Sequence, residues 1–289
     1  GETSGYASGG DLSNGVRSDT IDKFPFAADA NGTDVGNLSE TRTGLGGQSS
    51  EVSGYVSGGG TTIDVNTIEK FSFAAGGNTT DVGDLTHTTT RYGFGNSSKK
   101  YGYGYAAGGI SSPMINIINK FPFSADTNAT DVGDLTQGRY GAAGQSSADY
   151  AYFSGGGSST NIIDKFPFAA GGNATDVGDL TVARAAGLAG QSSKVSGYAS
   201  GGIGPTDIID KFPFASDANA TDVGNLTQIR FAASGQSSLV SGYASGGAAP
   251  SVPTQAVNTI DKFPFAVDAN ATDVGDLTQA RRDQTGQQV

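Results

Sequence analysis

The chain alternates short runs of branched and aromatic residues with glycine clusters and polar turns, and no segment keeps a helical period over ten residues. Residues 184–228, "RAAGLAGQSSKVSGYASGGIGPTDIIDKFPFASDANATDVGNLTQ", show the pattern in full. We read four strands there, "RAAGLAG", "VSGYASGG", "DIIDKFPF" and "DVGNLT", parted by turn-forming Gly, Ser, Asn and Asp. In the third, Phe212 and Phe214 fall on one face and Ile209 on the other, as in a strand buried between packed sheets. Pro213 cannot donate to a ladder, so that strand is expected to end there.

The same unit is written six times. "KFPFAADANGTDVGNL" starts at Lys23, and its variants start at Lys70, Lys120, Lys165, Lys211 and Lys262, spaced 47, 50, 45, 46 and 51 residues apart. Such a period predicts an array of repeats forming one domain over residues 1–289. One unit cannot fold alone: each large apolar anchor contributes ~1.5 to 3 kcal/mol on burial, against roughly 1.5 kcal/mol for ordering each residue. The tail "RRDQTGQQV" followed by the head "GETSGYASGG" makes one ordinary passage from first to second strand. The C-terminal strand is therefore expected to be the innermost strand of the first blade, closing a ring without open edges.

These residues resemble the kelch-repeat β-propellers. Arg184 precedes the first strand, "GYASGG" ends the second in Gly201 and Gly202, "IIDKF" leads to a turn at Asp217, and "DVGNL" makes the last. The tryptophan of the kelch final strand is absent, with Val223 and Leu226 in that strand. The resemblance spans essentially the whole chain and implies an all-β fold: a six-bladed kelch-like β-propeller of four-stranded antiparallel blades. The repeats also look like those of kelch-like structural proteins encoded by marine bacteriophages, which implies a virion component.

Composition narrows the function. A net charge of -11 argues against a nucleic-acid partner, which requires a basic stripe. No cysteine is present, so there is neither a disulfide nor the tyrosine-cysteine crosslink of kelch oxidases, and zinc would have only His87. No apolar run reaches 18 residues, and no signal peptide is visible. A start without methionine implies a processed, truncated or partial product whose missing start is open to having carried a targeting segment.

Within this frame the repeated Phe24, Phe26, Val35 and Leu38 read as filling between blades, and "ADANGTD" as the turn joining the outer strands. What varies is the connection after each double glycine, and a near-constant scaffold with divergent loops on one face is the layout of a binding surface. Asn14, Arg17, Asp64, Met114, Ser159, Pro205, Pro250 and Gln255 in these loops are the candidate partner-binding residues, with the loops at 11–19 and 248–258 favoured. Six arginines, Arg42, Arg91, Arg139, Arg184, Arg230 and Arg281, occupy equivalent positions near the innermost strands. They read either as a ring holding a carboxylate or sulfate, or as structural residues paired with neighbouring carboxylates and carbonyls.

The turn residues Asp268, Asn270, Thr272 and Asp276 have the alternate spacing of a calcium loop, although Asn and Asp also cap turns unaided. No cofactor is otherwise expected. Asn-x-Thr sequons recur at Asn31, Asn78, Asn128, Asn173, Asn219 and Asn270, glycan acceptors in a eukaryotic secretory pathway and plain turn residues elsewhere. Catalysis has little support: His87 belongs to no repeated constellation, and the only glutamates are Glu2, Glu40, Glu51 and Glu69. The expectation is a non-enzymatic extracellular or virion-surface module whose partners are other surface proteins. Recognition of host glycans is the alternative, and a glycan hydrolase or lyase follows it.

Overall fold

In a computed structural model, residues 3–88, 91–110, 112–157, 159–204, 206–250 and 255–289 are described. They form a six-bladed β-propeller of four-stranded antiparallel sheets. The fifth blade stands for the rest: Ala189–Ser192 innermost, then Ser196–Ser200, Ile208–Pro213 and Thr221–Asn225. The third strand ends at Pro213, as its missing donor requires. The first strand starts later than the sequence pattern suggests. Residues 185–188 form a link instead: Arg184 is buried at the end of the preceding blade's strand Thr175–Arg184, and Gly187 takes a positive φ of 70°.

The ring closes through the C-terminus. Thr285–Gln288 pairs antiparallel with Ser4–Ser8 and supplies the innermost strand of the first blade. A short pair that the sequence did not reveal, Asp11–Leu12 with Arg281–Arg282, adds to this seam.

Aromatic side chains join neighbouring blades. Tyr243 stacks on Phe26 at 4.7 Å and Tyr152 on Phe214 at 4.8 Å, each tyrosine packing against the phenylalanines of the next blade in the ring. Phe24, Phe26 and Leu38 are buried, the first two in one cluster with Tyr243 and Ile260. Such pairs add about 0.5 to 1.5 kcal/mol each beyond the area they bury.

Each sequon asparagine serves the same joint. Oδ1 of Asn31, Asn78, Asn128, Asn173, Asn219 and Asn270 accepts the backbone N–H of Asp276, Asn37, Asp84, Asp134, Asp179 and Asn225 respectively, at 3.0 to 3.1 Å. Asp268 meanwhile accepts from Lys211 Nζ at 2.8 Å. Two of the four oxygens of the supposed calcium loop are thus turned to the preceding blade, and the loop works as an inter-blade latch.

At the axis six glycines form a waist: Gly47, Gly95, Gly144, Gly190, Gly235 and Gly286. A Cβ on Gly95 would lie 2.1 Å from the carbonyl oxygen of Gly47, and one on Gly235 2.1 Å from that of Gly190. Only glycine lets the innermost strands approach this closely. The waist separates two mouths, an upper one carrying the variable loops and a lower one carrying the hairpins between first and second strands.

Candidate functional site at the upper mouth

The upper mouth is built from the links that enter each blade. Among the described residues five of the double glycines donate to such a link, as in Gly10 N to Arg42 O at 2.7 Å and Gly109 N to Arg139 O at 3.0 Å. The variable loops and the links therefore share one end of the ring.

Five arginines are buried and occupied. Arg42 pairs with Glu69, Arg139 with Asp164, Arg184 with Asp210, Arg230 with Asp261 at 2.8 Å and Arg281 with Asp22 at 2.9 Å. Arg139 also donates to the carbonyl oxygens of Gly155, Ile162 and Phe153. Burial pulls the Arg139, Arg184, Arg230 and Arg281 guanidinium groups below their ordinary range, against the pull of their carboxylates. At Glu69 burial works upward, yet Arg42 and hydrogen bonds from Ser39 and Thr79 hold the carboxyl below its usual value. Buried and paired with carboxylates, these five side chains have the structural arrangement and form no exposed ring of guanidinium groups.

Arg91 differs because its link is one residue short. Arg91 precedes Asn96 by five positions, whereas Arg42 precedes Gln48 by six. Ile110 N donates to Arg91 O at 2.9 Å, as Gly60 N does to Thr43 O, so Arg91 stands where Thr43 stands and not where Arg42 does. Its guanidinium is partly exposed and bonds Asp64 at 2.9 Å. Thr43, Arg91, Tyr140, Ala186, Phe231 and Arg282 are the equivalent positions on this rim.

Just inside them, six residues form a closed circle of backbone hydrogen bonds. The N–H groups of Gly44, Tyr92, Gly141, Gly187, Ala232 and Asp283 each donate to the preceding member's carbonyl, at 2.7 to 2.9 Å. All six have positive φ, between 55° and 70°. Tyr92, Ala232 and Asp283 hold it without being glycine, at about 1 to 2 kcal/mol each.

The cavity above the waist is about 430 Å3, within the range of ligand sites. Tyr92, Tyr140 and Phe231 line it, with the two tyrosine ring centroids 6.1 Å apart. Arg282 and Asp283 face them from the seam. Burial pushes the Asp283 carboxyl up to about 7; Arg282 opposes the shift and Asp11 adds to it. Burial also raises the Tyr92 hydroxyl, with Asp283 and Asp11 contributing.

The loop candidates surround this mouth to different degrees. Arg17 Nε lies 3.8 Å from Asp11, and Asn14 Oδ1 accepts Val16 N at 3.0 Å within its own turn. The favoured loops touch, with Ala256 N donating to Ser13 Oγ at 2.9 Å. Gln255 and Pro250 are exposed there, Ser159 is exposed with a φ of 81°, and Met114 is half-buried with its carbonyl beside Gly138. Pro205 lies outside the described residues, as does part of the loop at 248–258.

Sequence reasoning missed Tyr92, Tyr140, Phe231 and Asp283. For Tyr92, Tyr140 and Phe231 the signal was available in the residue after each arginine, which varies from repeat to repeat, and Asp283 stands one position further on, where Gly44, Gly141 and Gly187 stand in other links. No family model matches the chain, and no curated protein is significantly similar to it.

Proposed function

We propose that this chain is a non-enzymatic, kelch-like interaction module that works on a virion surface or outside a cell and engages other surface proteins through its upper mouth. The observation that carries the reading is the distribution of variation. Strands, stacked aromatics, latches and waist repeat from blade to blade, whereas Arg91, Tyr140, Phe231, Arg282 and the loops beside them depart from the repeat on one face. Half-buried aromatic and arginine side chains around a concavity are the residue types that dominate binding energy. The likeness of the repeats to phage-encoded arrays supports the virion setting.

Recognition of host glycans is the second reading, favoured by the pairing of Tyr92, Tyr140 and Phe231 with Arg282 and Asp283 across one cavity. Aromatic faces suit the apolar face of a sugar, and the charged pair suits its hydroxyls. Glycan hydrolysis ranks lower, because it calls for two carboxyl groups flanking the bond and Asp283 is the one carboxylate lining the cavity among the described residues.

The test is a Tyr140→Ala/Phe231→Ala double variant, run beside the parent chain for co-sedimentation with source particles and on an array of neutral and acidic oligosaccharides. The expected result is an unchanged melting temperature with binding reduced at least tenfold. Unchanged binding would overturn the assignment of the upper mouth. Oligosaccharide binding that is lost with the two rings would put the glycan reading first.

A further inference from the structure

We propose that the lower mouth of the channel is an oxyanion site, taking a sulfate, phosphate or carboxylate group carried by a free ion or by an acidic saccharide. The cavity there is about 440 Å3 and shares only the waist glycines with the upper mouth. Its charged lining is of one sign: Lys99, Lys100 and Lys194, with no Asp or Glu among the lining residues. In a chain of net charge -11 this lining is a local concentration of positive side chains. Lys100 is spoken for, bonding Asp149 at 2.5 Å. Lys99 and Lys194 are exposed and have no ion-pair partner among the described residues.

Below the lysines a ring of donors faces the axis. Ser97 Oγ accepts Ser49 N at 2.8 Å, Ser192 Oγ accepts Ser146 N at 2.9 Å, Ser237 Oγ accepts Ser192 N at 2.9 Å, and Ser49 Oγ accepts Gln288 N at 3.0 Å. A hydroxyl that accepts still has one proton to donate. None of these four has an acceptor for that proton among the described residues. Gln288 takes the sixth serine's place; its Oε1 accepts Ser237 N at 2.6 Å, which leaves the amide hydrogens free. Ser49 and Ser237 are 6% and 4% exposed, so these donors are held by the fold instead of swinging in solvent. Ser146 is the exception, since it donates to Asn96 Oδ1 at 2.9 Å. Uncommitted protons beneath two unpaired ammonium groups match the acceptor-only oxygens of an oxyanion, and charge-assisted hydrogen bonds are the strong class.

The experiment is titration calorimetry on the full chain at low ionic strength, with sodium sulfate, a monosulfated disaccharide and its unsulfated parent as probes. Sulfate is expected to bind saturably, and a Lys99→Ala/Lys194→Ala variant to lose at least tenfold in affinity without a change in melting temperature. Ser237→Ala should weaken binding a few-fold further, with circular dichroism confirming that the blades persist. Tighter binding of the sulfated disaccharide than of sulfate would identify the saccharide as the source. Equal binding would identify the free ion. Absence of saturable sulfate and disaccharide binding, or binding indifferent to the lysine pair, would overturn the proposal. Upper-mouth variants are expected to leave these titrations unchanged, so the two sites stand or fall separately.

Discussion

The joints between blades come in two kinds, and blade three has the odd one. At the other five, a buried arginine meets a buried carboxylate that also accepts a hydroxyl: Asp164 takes Thr136 Oγ1 at 2.7 Å and Thr136 N at 3.0 Å while Arg139 binds from the other side. Blade three has Asn119 in the carboxylate's place. Thr86 still donates to it, at 2.7 Å from Oγ1 and 3.1 Å from N, while Arg91 lies one step along the chain on the outer rim. A threonine or serine contact, the latter at Ser39, is thus present at every joint and the ion pair at only five. This agrees with the small net stability of buried pairs, whose two charges must both be desolvated. Dropping the pair at one joint puts an arginine on the rim of the upper mouth.

The largest effect is expected from breaking an intact pair. Asp164→Ala leaves Arg139 charged and buried, and should cost about 3 to 5 kcal/mol of stability by denaturant unfolding. Asn119→Asp sharpens the contrast from the other side. It creates a buried carboxylate that Arg91 does not reach, and a loss of about 2 to 4 kcal/mol is expected, against near-neutrality if any arginine can swing in.

A smaller effect belongs to Asp283. Its folded carboxyl is raised to about 7 from 3.8, so the folded state holds the proton more tightly than the unfolded one. Stability from this residue is complete below the lower value, falls as pH rises between them, and is flat above about 7. Asp283→Asn should remove that slope and stabilise the chain at pH 8 by about 1 to 2 kcal/mol, after discounting for screening at its partly exposed carboxyl. Equal slopes for parent and variant would contradict the upward shift of this carboxyl.

The smallest effect belongs to the outer rim. Lys262 bonds Asp29 at 2.9 Å. Lys23 and Lys120 have no such aspartate to meet, since the following repeats carry Gly76 and Gly171 there, and they lie over the rings of Tyr6 and Tyr103 at 5.7 and 4.6 Å. Two joints already do without this ion pair, so Lys262→Ala should change thermal stability by less than about 1 kcal/mol.

Period, blade count, closure of the first blade and the filling role of Phe24 and Phe26 were legible because each repeats in register. Equivalence of the arginines was legible only in part. Five meet a carboxylate on the third strand of the blade they lead into, at sequence separations that vary, whereas the one-residue deletion before Asn96 moves Arg91 without changing its neighbours in the chain. The inter-blade duty of Asn31 and its five counterparts was hidden, since a turn residue contacting the preceding blade reads locally like any capping asparagine. The lower donor ring was hidden for a similar reason. "QSS" reads as a strand end, and only the ring brings its hydroxyls to one axis.

The most direct test of the account is a pair of thermal melts, Arg139→Ala and Arg91→Ala, each against the parent chain. If Arg139 belongs to the scaffold and Arg91 to the binding face, the first variant should melt about 10 °C lower and the second within about 1 °C of the parent. Equal losses would mean that Arg91 also holds a joint together, and would contradict the division between scaffold and upper mouth.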